Sequence, residues 1–178
     1  MRRADVQRVD RDLAQLSHSG LDWSTLSLHA GETLRRAIPF DHACWHTMDP
    51  TSLVFTGVTK DSLEDEVRLP YHEYALPDVN QWAQLARRPT PVGILSQGSR
   101  EGLQSSPRYR ELLQPRGIAD EMRAVFRSGR TVWGACGIYR GPGRPVFTSA
   151  DAELLDRAGR YLADGYRRSL LLAAVDAR

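Results

Sequence analysis

Ala119-Asp-Glu-Met-Arg-Ala-Val-Phe-Arg-Ser-Gly-Arg-Thr-Val-Trp-Gly-Ala-Cys-Gly-Ile-Tyr139 is the stretch on which the fold turns. It divides into two strand-like arms, 119–126 and 131–139, around Gly129, which can take the positive φ that a tight hairpin needs. If the loop is Arg127-Ser128-Gly129, Met122, Ala124 and Phe126 share one face with Val132, Gly134, Cys136 and Ile138. A two-residue loop would set those apolar residues on opposite faces, so the longer loop is the better expectation. The other face carries Glu121, Arg123 and Val125 beside Trp133, Ala135 and Gly137. One dry face and one mixed, roomier face predict a sheet with helices packed behind it and a ligand cavity in front.

Outward from the hairpin, the helices come first. Val6, Val9, Leu13 and Leu16 recur at helical spacing, and Gly20 closes that helix. Asp22 is placed to cap a second helix whose apolar stripe is Trp23, Leu26, Ala30, Leu34, Ala37 and Ile38, ended by Pro39. The pair resembles a helix-turn-helix in outline only, since no exposed set of base-reading side chains accompanies it. On the far side, Thr148 caps a long final helix with Asp151 in its first turn. Its stripe is Leu154, Leu155, Ala158, Leu162, Tyr166, Leu170 and Ala173. Leu170, Leu171, Leu172 and Val175 cannot all face one sheet on a 3.6-residue period. With helix one expected to expose its own stripe, the two terminal helices are candidates for a homodimer interface.

Between helices and hairpin, His42–Met48 and Leu53–Val58 read as an antiparallel strand pair joined at Asp49-Pro50, and Val92–Leu95 as a short strand. Helical patterns fall at Leu63–Tyr74, Asp78–Arg87 and Pro107–Gln114. Asp78 with Gln81 has the spacing of a capping box, and Ser106-Pro107 that of a helix start. Ser96–Gly102 is a polar loop. This excursion from residue 60 to 117 holds Tyr71, Tyr74, Trp82 and Tyr109, as a lid over a pocket would.

Composition narrows the function classes. At 41% hydrophobic and 26% charged residues, the 178-residue chain fits one soluble domain with an ordinary core. No apolar run approaches the roughly 20 residues of a membrane-spanning helix, and no signal-peptide core opens the chain. The expected compartment is the cytoplasm, where Cys44 and Cys136 would remain buried free thiols. Lys60 is the only lysine among 24 basic residues, and the net charge is +2. Dispersed arginines of that kind fit a GC-rich genome better than a nucleic-acid surface, which needs a tighter basic cluster.

Chemistry-bearing patterns are sparse. His42, Cys44 and His46 share a strand face but lack a fourth zinc ligand, and Cys136 has no base to activate it. Gly98, Gly102, Gly129 and Gly143 stand outside any strand-to-helix phosphate loop. Glu64, Asp65 and Glu66 read as a solvated helix face. No catalytic or metal site and no cofactor is assigned, and enzymatic activity is not expected. Arg123, mid-strand on the mixed face, is either neutralised by Glu121 or a bidentate clamp for an anionic ligand. The candidate ligand-binding set is Arg123 and Trp133 with Trp45, Tyr74, Trp82 and Tyr109.

The order of elements, taken with Phe40-Asp-His-Ala-Cys-Trp45, Asp49-Pro-Thr-Ser52, Tyr109-Arg-Glu-Leu-Leu-Gln-Pro-Arg-Gly117, Asp120-Glu-Met-Arg123, Trp133-Gly-Ala135 and Gly143-Arg-Pro-Val-Phe-Thr148, resembles a GAF-type sensor domain. More narrowly, it resembles the N-terminal GAF-like region of actinobacterial LuxR-type helix-turn-helix regulators. The resemblance covers most of residues 24–172. It implies an α+β fold, with an antiparallel sheet of about six strands between terminal helices and a helical lid, and a small-molecule pocket on one sheet face. It also implies a role in transcription regulation through a DNA-binding domain further along, which does not follow within residue 178. The expected organisation is one sensory domain over 1–178, with N-terminal helices (1–38), a sheet and lid core (40–147) and a signalling or dimerisation helix (148–178). No shared ligand or fixed binding residues come with the resemblance. Two rival functions stand beside a ligand sensor: a purely structural dimerisation module, and a thiol-dependent redox enzyme at Cys44 or Cys136.

Overall fold

The computed structural model describes residues 3–61 and 68–176. The hairpin is present as β4 (Asp120–Ser128) and β5 (Thr131–Arg140). Its pairing continues to Ser128↔Thr131, so the tip is Gly129-Arg130, two residues and not three, with Gly129 at φ 61°. A bulge rescues the face pattern that a two-residue tip would have scrambled. Phe126 pairs with Gly134 and Arg127 with Val132, leaving Trp133 without a cross-strand partner. Met122, Ala124 and Phe126 therefore still join Cys136 and Ile138 in the main core. The bulge exchanges the next two residues: Val132 moves to the opposite face beside Val125 and Ala135, and Trp133 packs against the main core. The expectation of Trp133 beside Arg123 fails for that reason.

β1 (His42–Met48), β2 (Phe55–Asp61) and β3 (Val92–Ile94) complete an antiparallel sheet in the order β2-β1-β5-β4-β3. Among the described residues the sheet has five strands, one fewer than the resemblance implied. The fold is α+β.

Three helices cover one face: α1 (Arg3–Leu16), α2 (Trp23–Arg35) and α5 (Ser149–Asp176). Asp22 caps α2 by accepting from the Ser24 and Thr25 amides. Thr148 and Asp151 cap α5 reciprocally, since the Asp151 carboxylate accepts from the Thr148 amide and the Thr148 hydroxyl accepts from the Asp151 amide. Leu26, Ala30, Leu34, Leu154, Leu155, Ala158, Leu162 and Tyr166 are buried between helices and sheet. Val9 and Leu13 are buried there as well, so helix one spends its apolar stripe inside the chain instead of presenting it to a partner. Leu171, Leu172 and Val175, at the end of α5, are the large apolar residues of that helix left exposed. No described helix is long and apolar enough to cross a membrane.

The opposite face is roofed by short segments: α3 (Leu69–Tyr74), α4 (Trp82–Leu85) and a π-helical turn, Tyr109–Leu113. The N-terminal half of the expected 63–74 helix lies outside the described residues. Asp78 and Gln81 do not form a capping box. Asp78 instead accepts from the Ser106 hydroxyl and the Arg108 amide, starting the helical segment that leads into the π turn, while the Gln81 amide donates to the carbonyls of Glu73 and Leu76.

Gly134 marks where α5 meets the sheet. A Cβ there would lie 2.4 Å from the Tyr166 ring and 2.6 Å from the His46 carbonyl oxygen. Gly134→Ala should therefore cost about 1–3 kcal/mol, the usual range for overpacking a filled core. Urea denaturation reads it, and an unshifted midpoint would show that helix and sheet separate without cost.

Candidate functional site

One row of cross-strand partners crosses the whole sheet beneath the lid: Lys60, Cys44, Gly137, Arg123 and Gly93. Its two glycines make room for larger neighbours. A Cβ on Gly137 would stand 2.5 Å from the Tyr139 hydroxyl, and one on Gly93 2.5 Å from the Asn80 side chain. Arg123 is the centre of the row and has no exposed surface. Its Nε donates to Glu121 at 2.8 Å, its Nη1 to Glu73 at 2.7 Å, and its guanidinium carbon sits 3.9 Å over the Trp82 ring.

The pairing continues on both sides. Glu121 also accepts from Nε and Nη2 of Arg108, at 3.0 and 2.8 Å, and Nη1 of Arg108 lies 3.3 Å from Asp78. Glu73, on α3, accepts from the Trp82 amide with its other oxygen and so starts α4 while holding Arg123. The result is a buried chain of alternating charge, Asp78–Arg108–Glu121–Arg123–Glu73, that ties three lid segments to β4. Two guanidiniums face three carboxylates, which leaves one negative charge in excess.

The two glutamates respond differently. Burial pushes Glu73 up, and Arg123 with the Trp82 amide does not bring it back to the ordinary range. Burial also opposes ionisation of Glu121, but Arg108 and Arg123 together hold it below that range. Glu73 is thus the less firmly ionised of the two carboxylates on Arg123.

Beside this chain lies an aromatic wall. His46 stacks on Phe55 at 4.2 Å, Trp82 stands edge-on to Phe55 at 5.0 Å, and Tyr74 meets Phe55 from outside at 5.2 Å. Burial, reinforced by the Arg123 charge, lowers the His46 imidazole to about 3. Cys44 lies 3.2 Å from His46, yet burial raises its thiol to about 12. At neutral pH this is a neutral thiol beside a neutral imidazole. Cys136 is likewise free, and burial raises its thiol as well. Among the described residues no three His, Cys, Asp or Glu side chains converge as metal ligands would.

Of the six candidate ligand-binding residues, Arg123 and Trp82 are in contact under the lid. Tyr74 is half-exposed at its rim, and Tyr109 packs with Cys44, Leu95 and Tyr139 in a neighbouring apolar cluster. Trp45 and Trp133 belong to the helix face: Trp45 is buried against Phe126, and Trp133 is carried there by the bulge. Glu73 and Arg108 escaped notice in the sequence. The available signal was positional, since Arg108 lies one helical turn before Leu112 and so on a buried stripe.

Compared with solved structures, the chain superposes on the GAF3 domain of Slr1393 from Synechocystis sp., in its photoproduct state, with a TM-score of 0.57 at 15% identity. That match covers 86% of this chain and 99% of the other. The GAF domain of an Acinetobacter phosphoenolpyruvate-protein phosphotransferase gives 0.58 at 10% identity, covering 97% and 98%. The chain has a GAF-like fold. Bacteriophytochrome RpBphP3 from R. palustris gives 0.65 at 15% identity, covering 99% of this chain but only 39% of that one. At these identities the likeness is one of fold. In sequence, no family model and no curated protein matches the chain.

Two expectations follow from this site. Arg123→Met leaves two buried carboxylates short of a partner and should cost about 3–5 kcal/mol, whereas Glu73→Gln removes the excess charge and should cost far less. Equal losses in chemical denaturation would contradict the charge ordering. His46 adds an acid-sensitive increment of stability. Because its folded pKa lies below the unfolded value of 6.5, the unfolded chain takes up the proton first and stability falls with falling pH. The slope reaches about 1.4 kcal/mol per pH unit between roughly pH 6 and pH 3.5. His46→Phe should flatten urea midpoints between pH 7 and pH 5, and an unaltered pH dependence would exclude this source.

Proposed function

We propose that the chain is a sensory domain that binds a small anionic molecule between lid and sheet and signals through its terminal helices. The observation behind this reading is the ion pair of Glu73 with Arg123. It joins a lid helix to the central sheet through the less firmly ionised of the two glutamates. A ligand carboxylate that replaced Glu73 would keep Arg123 paired, gain Trp82 and the His46–Phe55 wall as an apolar bed, and release α3. Exchange of one carboxylate for another avoids leaving a guanidinium unpaired, so a buried ion pair can serve as a switch.

The output side fits the same reading. Arg123 lies on β4, whose other face packs on α5. That helix has 28 residues, roughly 42 Å at 1.5 Å per residue, and ends in exposed Leu171, Leu172 and Val175. We infer a homodimer through the terminal helices, with α5 supplying the exposed apolar part. The biological setting we favour is a cytoplasmic LuxR-type transcriptional regulator, reaching DNA only through a domain outside this chain. The role is binding and not catalysis, as the neutral Cys44–His46 pair supports. A second reading, a structural dimerisation module without a ligand, draws on the lid face being filled by the chain's own side chains.

A thermal-shift screen of small carboxylates separates the two, since a ligand of the folded state raises its melting temperature by mass action. A stabilising carboxylate should bind Glu73→Gln more tightly, because its competitor is gone. It should lose about 1.5–3 kcal/mol of binding in Arg123→Ala. Unchanged affinity in both variants would refute the exchange. Sedimentation at micromolar concentration tests the assembly: a dimer that Leu171→Glu dissociates is expected, and a monomer unaffected by that change would remove it.

A further inference from the structure

A second concavity opens at the hairpin end of the lid face, away from Arg123. A groove of about 390 Å³ runs between the β1–β2 turn, the segment after α4 and the hairpin tip. That size lies within the range of about 300–1,000 Å³ typical of small-molecule sites. Its floor is apolar, because Leu53 and Val132 line it and belong to the same cluster as Trp82 and Leu85. Its rim is cationic: Arg87, Arg127 and Arg130 line the groove, and among the described residues no carboxylate does.

The three arginines are not equivalent. Arg127 donates Nη1 to the Ala86 carbonyl and Nη2 to the Pro89 carbonyl, which fixes the segment after α4 to the hairpin. Arg87 and Arg130 are exposed on either side of it. The acid nearest in sequence, Asp49, is engaged within its own turn, accepting from the Thr51 and Ser52 amides and the Ser52 hydroxyl. A neighbouring groove of about 330 Å³ shares Arg127 and Gly129 but includes Asp156 and Asp164 with Arg160, so its charge is balanced internally. Among the described residues the arginine groove has no such balance.

Leu53 supplies an independent sign. It stands at φ 59°, a conformation in which a leucine is strained, and it is held there because its amide donates to the Asp49 carbonyl and Asp49 donates back to Val54. Glycine or asparagine would relieve that strain, but either would remove one of the two apolar side chains of the floor.

We propose that this groove is a binding site for an amphipathic carboxylate, its head between Arg87 and Arg130 and its hydrocarbon body on Leu53 and Val132. Arg127 adds its charge without moving, which keeps the groove preformed. The site is distinct from the Glu73–Arg123 exchange and stands or falls separately.

Octanoate is the probe, titrated into the full chain by calorimetry at low salt, with octanol as the tail-only and inorganic phosphate as the charge-only comparison. Octanoate should bind at least about tenfold more tightly than either, because a charge-assisted contact and an apolar floor each contribute. Arg87→Ala/Arg130→Ala should weaken octanoate by about tenfold or more. Arg160→Ala, in the neighbouring groove, should leave it unchanged. Failure of octanoate to bind, equal binding of octanol or phosphate, or full affinity in the double variant would overturn the proposal. An octanoate affinity that rises in Glu73→Gln and is unmoved by Arg87→Ala/Arg130→Ala would overturn it too, by placing the probe at Arg123.

Discussion

Arg123 carries a permanent positive charge on the central sheet, where water does not reach it, and most of the lid is arranged around that constraint. A lone buried guanidinium would cost several kcal/mol, so carboxylates must be brought to it. Glu121 comes from the same strand, two residues back. Glu73 comes from α3, some 50 residues earlier in sequence, and can do so only if the lid folds over the sheet. Glu121 in turn accepts Arg108, and Arg108 draws in Asp78. The lid is therefore shaped by charge satisfaction, which short turns and four-residue helices can provide. The helix face is shaped by apolar stripes, which need long regular helices.

That difference explains what was legible in the sequence. Apolar periodicity is a local signal, and it located α2 with its Asp22 cap, α5 with its Thr148–Asp151 cap, and the hairpin with its dry face. The partners of Arg123 leave no local signal, since Glu73 reads as an ordinary helix-surface glutamate and Arg108 as one arginine among many. Asp78 and Gln81 had capping-box spacing, but the Ser106 hydroxyl, the Arg108 amide and the Glu73 carbonyl competed for them and won. Of the candidate site, the strand residue Arg123 and the lid residue Trp82 were recoverable from face and composition. Trp133 was not, because a single bulge residue inverts the alternation on which its placement depended.

The bulge also shows how the hairpin reconciles two demands. A tight tip built on Gly129 favours a two-residue turn, yet the core needs Phe126 and Gly134 on the same face. Inserting Trp133 as an unpaired residue satisfies both, and its indole then covers the helix-side core. The displaced Val132 becomes apolar floor on the lid face, beside Trp82 and Leu85. One irregularity thus furnishes both a plug for one layer and a surface for the other.

β4 is where the two layers meet mechanically. Its alternate residues are Met122, Ala124 and Phe126 toward the helices, and Glu121, Arg123 and Val125 toward the lid. Phe126 stands edge-on to Tyr166 of α5 at 5.4 Å, and Tyr166 closes over Gly134 and hydrogen-bonds Ser27 of α2. A change in the partner of Arg123 can move β4 little, because both its edges are paired, to β3 and β5. What such a change can alter is which lid segments remain attached, since Glu73 holds α3 and the start of α4 together. In this architecture the sheet is a fixed frame, and on the reading proposed above a switch would work by detaching and reattaching the lid to it. The close approach at Gly134 makes the helices part of that frame, so any signal proposed to reach α5 would depend on how tightly sheet and helix are packed there.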